Sequence, residues 1–318
     1  MTHLDLHSQN PIRRPSAALL VTEPWRAAWE YVSHKRNALR DARHSNGNAQ
    51  VNAVSNADSN ADSNADSKFD RNADGNAARN ASSNADRVAD RVADRVADRI
   101  VDRVADGHPV IMFPGLASDG KAMAPLRKHC AALGYDSIDW GRGFNTGPKG
   151  DVDTWLSALA DHTLELLAGK KQTATLLGWS LGGVYAREVA KLLGPRVRQV
   201  ITIGTPFNAD ADHTNVGWVF RLMTNSPRAF DPAFSSRLRK APAVPTTSIY
   251  SRSDGVVAWQ TCTHRGSVAQ VEDIEVISSH LGMGWNSQVL KVVADRLAQR
   301  PGAWTPYHGK SRSRPARA

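Results

Sequence analysis

With 41% hydrophobic residues, a chain of 318 residues can bury a sizeable core, and two cysteines are too few for a disulfide scaffold or a thiolate metal site. The formal charge of +9 raises nucleic-acid binding, yet no helix-turn-helix, zinc-finger spacing or aromatic-basic platform accompanies it. Part of the excess charge is the tail residues Lys310, Arg312, Arg314 and Arg317, read as a solvated basic segment over 301–318, so no nucleic-acid partner is expected.

Apolar runs are too short to cross a bilayer, and Ala17 to Val21 behind Arg13 and Arg14 is too brief for a secretory core. A cytoplasmic protein without an integral span is expected, with peripheral membrane contact left open. In the N-terminal segment 1–40, Thr22 suits a helix cap, Pro24 suits a first turn, and Trp25, Ala28, Trp29, Val32 and Leu39 share one face. That amphipathic helix can dock on the rest of the chain, lie on a membrane or meet a partner; docking is the simplest expectation.

Residues 41–106 are a tetrapeptide repeat in two versions. The first, Asn-Ala-Asp-Ser from Asn56 to Ser67, has no apolar face and is expected to be disordered. The second spaces Val88, Val92, Val96, Ile100 and Val104 by four, a period that drifts around a 3.6-residue helix, and predicts a loosely attached helix.

A catalytic domain is expected over 107–300. A strand from His108 to Pro114, a helix from Lys121 to Leu133, a strand from Tyr135 to Trp140 and a helix from Asp151 to Leu167 open it. A strand entering at Gln172, a helix from Val184 to Leu193 and a strand from Val197 to Ile203 follow. Phe207 to Pro245 breaks the rhythm with two apolar helix-like pieces and four prolines, as a small cap insertion would. Strands from Thr246 to Ser251 and Glu272 to Ile277, then a helix from Ser287 to Ala298, close an α/β fold with a mainly parallel sheet and helices on both faces.

Gly178-Trp179-Ser180-Leu181-Gly182 falls where a strand turns into a helix, the setting in which a G-x-S-x-G turn lifts its serine into the open. Acyl transfer by serine also needs a base and an acid to orient it, each just past a strand. Asp254 follows one strand in Ser251-Arg252-Ser253-Asp254-Gly255 and His280 follows the next in Ser278-Ser279-His280. Asp210 and Asp212 are alternative acids, while His162, His213 and His264, none of which directly follows a strand, are read as surface or core residues.

With Pro114-Gly115-Leu116, Asp119, the loop Gly143 to Pro148 and Ile203-Gly204-Thr205-Pro206, these motifs resemble the α/β-hydrolase fold of the lipase and esterase branch. The resemblance runs through Gly107 to Ala298 and leaves out residues 41–106. It implies Ser180 as nucleophile, His280 as base, Asp254 as the carboxylate behind it, and the N–H groups of Leu116 and Leu181 as an oxyanion hole. Where the family often has His-Gly this chain has Pro114-Gly115, a change that spares a backbone donor. Trp179 and Asn145, with Trp218 and Phe220 of the cap (about 207–245), are the expected substrate contacts. The function implied is hydrolysis of small-molecule carboxylic esters with an apolar acyl group, without metal or cofactor. An acyltransferase on the same triad and a non-catalytic protein of the same fold are the alternatives, and the sequence leaves oligomeric state and repeat function open.

Overall fold

The computed structural model describes residues 15–36, 105–208, 232–264 and 266–309. The repeats through residue 104, most of the cap with Asp210, Asp212, His213, Trp218 and Phe220, and the tail from 310 lie outside the described residues.

Among the described residues a six-stranded parallel sheet has the order β2-β1-β3-β4-β5-β6. Its strands are β1 (Pro109–Phe113), β2 (Asp136–Asp139), β3 (Ala174–Trp179), β4 (Val197–Ile203), β5 (Thr246–Tyr250) and β6 (Val271–Glu275). The N-terminal helix α1 (17–36) precedes it; α2 (Ala124–Ala132), α3 (Val152–Leu166), α4 (Leu181–Leu193), α5 (Pro232–Arg239) and α6 (Ser287–Leu297) surround it. Every residue of β1 and β3 is buried, as a strand covered on both faces requires. Alternation then sorts them: Ile111 and Phe113 pack with Leu156, Leu159, Tyr185 and Val189 of α3 and α4. Val110 and Met112 pack with Leu126 and Cys130 of α2 and Val289 and Val293 of α6 on the other face.

Local signals start the helices. Asp151 accepts the Thr154 N–H at 2.8 Å ahead of α3, and Asn286 accepts the Gln288 N–H at 2.9 Å ahead of α6. The chain runs from β1 outward to β2, returns across β1 to β3, and then proceeds to β4, β5 and β6. The segments leaving the C-terminal ends of β1 and β3 therefore diverge, to α2 on one face and α4 on the other, and open the crevice where a parallel sheet takes its ligands.

The N-terminal helix departs from expectation in its start and in its docking face. It begins at 17 because Ser16 Oγ accepts the Leu19 N–H at 3.3 Å. Thr22 lies inside it, donating its hydroxyl back to the Ala18 carbonyl at 2.7 Å, and Pro24 is also interior. The buried side is Glu23 and Ala27, with Glu30 alongside, whereas Trp25 is 80% and Trp29 72% exposed. The 3.6-residue period puts those tryptophans on the side opposite Glu23 and Ala27. Residues 15–31 belong to the same compact unit as the sheet, and 32–36 continue the helix beyond it. Cys130 and Cys262 are buried free thiols, and burial pushes the Cys130 thiol up to about 12.

Candidate active site

At the C-terminal end of β3, Ser180 has φ 53° and ψ −123°, a conformation L-residues rarely adopt and one that stores strain. Close contacts hold it there. A Cβ on Gly178 would run into the Gly182 backbone, one on Gly182 into the Phe113 carbonyl, and one on Gly183 into Thr205 Oγ1. Only glycine fits at these positions, so β3, α4 and β1 can approach closely enough to make the turn. The Ser180 N–H donates to the Ile203 carbonyl at 2.8 Å, which fixes the elbow to β4.

Asp254 and His280, the candidate acid and base, come from the segments after β5 and β6. His280 Nδ1 lies 2.6 Å from Asp254 Oδ2, so the imidazole donates to the carboxylate and leaves Nε2 as its acceptor nitrogen. Asp254 Oδ1 in turn accepts the N–H groups of Val256 at 2.8 Å and Val257 at 2.7 Å. Burial alone would lower the His280 pKa, but the charge and hydrogen bond of Asp254, with the charge of Glu23, raise it above the ordinary value. The ring packs beside Trp179, 6.0 Å between centroids, and against Gly204, where an added Cβ would come within 3.1 Å of Nδ1. Gly204 directly follows Ile203, the acceptor for Ser180. His280 thus lies beside the elbow, although no hydrogen bond joins Ser180 Oγ to it among the described residues. Such a contact commonly tightens only with substrate in place.

The loop after β1 supplies the other wall. A Cβ on Gly115 would meet the Ser180 Cβ at 3.4 Å, so this loop lies directly against Ser180. Leu181 is the first residue of α4 and its N–H has no acceptor within the helix; the Leu116 N–H has none among the described residues. Asn145 braces the loop from below. Its Nδ2 donates to the Pro114 carbonyl at 2.9 Å, its Oδ1 accepts the Gly147 N–H at 3.0 Å, and its backbone exchanges bonds with Ala117 and Ser118. Ala117 itself is held at φ 53°.

These contacts assign positions to the remaining candidates. Asn145 is 1% exposed and engaged with the backbone of the loop after β1. Trp179, 6% exposed, lies beside the imidazole. Asp119 accepts the Lys121 N–H in a turn. His162 on α3 bonds Glu165 and the Trp140 carbonyl, and His264 is held between Asp273 and Arg187, so neither is placed as a base. A cavity of about 670 Å³ is lined by Phe207, Asn208, Lys240, His264 and Val268, and none of Ser180, Asp254 or His280 borders it. No group of three or more His, Cys, Asp or Glu side chains could hold a metal ion among the described residues. No helix among them is long and apolar enough to cross a membrane.

Two further residues of the site carry no local sequence signal. Glu23 and Glu30 of α1 reach the base loop: Glu23 accepts the His280 N–H at 3.1 Å and Glu30 accepts the Ser279 N–H at 2.7 Å.

A model of the Alpha/beta hydrolase family matches residues 110–310. Among solved structures, the chain is similar to lipase B of Aspergillus fumigatus at 19% identity and TM-score 0.49, over 63% of this chain and 55% of that one. It is similar to the mature lipase BlEst2 of Bacillus licheniformis at 18% identity and TM-score 0.46, over 59% and 91% of the two chains. To the monoacylglycerol lipase of Paleococcus ferrophilus it is 14% identical with TM-score 0.44, over 60% and 93%. The chain thus spans 55% of the length of the Aspergillus enzyme. No curated protein matches it in sequence.

Proposed function

Since the chain belongs to the alpha/beta hydrolase family, we propose that it is a serine hydrolase of carboxylic esters, with Ser180 as nucleophile, His280 as base and Asp254 as the orienting acid. The observation that carries this is the strained Ser180 elbow next to a buried imidazole whose Nδ1 is already held, 2.6 Å from a carboxylate.

Ser180 Oγ attacks the ester carbonyl carbon while His280 Nε2 takes its proton, and the negative charge on the carbonyl oxygen falls to the N–H groups of Leu116 and Leu181. The carbonyl re-forms as the bond to the alcohol oxygen breaks, and His280 returns the proton to that oxygen. Water then attacks the acyl-serine, again giving its proton to His280, and the carboxylic acid leaves with Ser180 restored. Asp254 keeps the proton on Nδ1 and stabilises the imidazolium in both halves. No metal or cofactor takes part in these steps.

Apolar acyl groups are favoured by the composition of the cap, in which Trp218 and Phe220 are the proposed wall. Substrate is then a small ester with an apolar acyl chain. The test is turnover of p-nitrophenyl esters of graded chain length by the wild type beside Ser180→Ala, with fluorophosphonate labelling of both. Turnover and labelling by the wild type alone support the assignment, and Trp218→Ala with Phe220→Ala should then shift the preferred chain length. Labelling without turnover would favour transfer to an alcohol or thiol acceptor, and the absence of both would remove the enzyme.

A further inference from the structure

The helix that docks beside the triad does so by its acids. Ala27 is its one buried apolar residue among those described, and the other buried side chain is Glu23, 2% exposed. Taking a carboxylate out of water is costly unless donors surround it. Here the donors are the two loops that carry the acid and the base. Glu23 Oε1 accepts the N–H of Gly255, the residue after Asp254, at 2.6 Å, and the N–H of His280 at 3.1 Å. Oε2 accepts the N–H of Leu281 at 3.3 Å. Arg26, one turn along, donates to Glu23 at 2.6 Å and to the Ser253 carbonyl of the acid loop at 2.6 Å. Gly255 is what permits the approach: a Cβ there would come within 2.8 Å of Glu23 Oε1.

We propose that Glu23 is a positioning residue of the active site, a single buried carboxylate that ties the acid loop to the base loop and so holds Asp254 and His280 in register. This rests on the serine-hydrolase assignment and adds to it a residue outside the family match at 110–310. The chain leaves the paired strands β5 and β6 side by side. Ser251 Oγ already bonds the Ser278 backbone at 2.8 Å near the bases of the two loops, and Glu23 closes them further out, next to the reacting groups. A misplacement of about 1 Å at such a pair costs on the order of 100-fold in rate.

The charged groups facing His280 are Asp254 from the loop after β5 and Glu23 from α1, with Arg26 backing Glu23. Trp179 of β3 and Gly204 after β4 lie beside the His280 ring, and the Met283 N–H reaches its carbonyl at 3.4 Å. Two substitutions therefore act in opposite directions. Glu23→Gln keeps one acceptor and removes the charge, and should lower the His280 pKa and reduce kcat by roughly 10- to 100-fold with a smaller change in KM. Arg26→Gln leaves Glu23 without its cation and should raise the His280 pKa.

The His280 titration is followed by NMR of histidine-labelled, full-length protein in a Ser180→Ala background, which requires no turnover; kcat and KM are measured in the Ser180 background. Opposite shifts with the kcat loss support the proposal. An unmoved titration in Glu23→Gln, or an unchanged kcat with only a lowered Tm, would overturn it and leave Glu23 as a helix anchor. Should the wild type neither turn over esters nor label, the hydrolase assignment fails, while the titration still reports whether Glu23 governs the His280–Asp254 pair.

Discussion

Asp254 and His280 stand 26 residues apart in the chain and 2.6 Å apart in space, both buried and both on segments that follow adjacent strands. The pair dictates how activity should vary with pH. In the proposed mechanism His280 works only as neutral imidazole, and its pKa lies above the usual histidine value because Asp254 and Glu23 outweigh the effect of burial. As pH falls through that raised value the imidazole gains a proton and kcat/KM drops, so the acidic limb of the profile should lie above about 6.5, the ordinary histidine midpoint. Asp254→Asn removes both the charge and the acceptor that fixes the tautomer. It should lower kcat by about 10⁴-fold while the protein stays folded. A limb below the ordinary histidine value would contradict the pairing.

Gly182 tests the elbow. A Cβ there points into the Phe113 carbonyl, an atom of β1 backbone that cannot swing aside. Gly182→Ala should therefore push α4 away from the sheet and lower stability by about 1–3 kcal/mol, read as a lower denaturation midpoint with an unchanged m-value. Fluorophosphonate labelling of Ser180 should slow as well, because the displaced turn carries the nucleophile and the Leu181 N–H together. Wild-type stability with wild-type labelling would mean that the close approach is not required.

Asn145 links the loop after β1, the proposed oxyanion loop, to α4, since its Oδ1 also accepts from Tyr185 of α4 at 3.3 Å. Burial pushes the Tyr185 phenol well above its usual range, so it stays a neutral donor. Asn145→Ala leaves the Pro114 carbonyl and the Gly147 N–H without this partner, a loss of about 1–3 kcal/mol. Because Ala117 and Gly115 then relax, kcat should fall at least about 10-fold, less than removal of a whole oxyanion donor, with KM nearly unchanged. A variant with raised KM and intact kcat would instead make Asn145 a substrate contact.

How far the sequence reaches depends on distance along the chain. The Ser180 elbow is legible because its requirements are local: glycines two residues either side and a strand-to-helix change. The pairing of Asp254 with His280 is legible because each comes soon after a β-rich run, so one repeated pattern places both. Thr22 and Pro24 mislead for the same reason, since a hydroxyl and a proline mark a helix start only where the preceding turn is absent, and Ser16 starts this one earlier. Glu23 shows the limit. Its partners are 232 and 257 residues away, across the repeats, and an acid in an amphipathic helix looks like solvated surface until the loops that receive it are seen.

The tryptophans mislead in the opposite direction. Large apolar side chains at helical spacing read as a docking face, but this helix docks by hydrogen-bonding carboxylates around Ala27, 5% exposed, whose carbonyl accepts the Trp285 Nε1–H at 3.2 Å. Two substitutions separate the faces. Trp25→Ala with Trp29→Ala removes exposed surface alone and should move stability by no more than about 0.5 kcal/mol per site, with kcat unchanged. Ala27→Leu inserts three carbons between α1 and the base loop and should cost about 1–3 kcal/mol. It should lower kcat too, because the helix cannot retreat without drawing Glu23 from the His280 N–H. Thermal melts and ester kinetics on the two variants decide the matter. Destabilisation by the tryptophan pair with a silent Ala27→Leu would place the docking face on the other side of the helix.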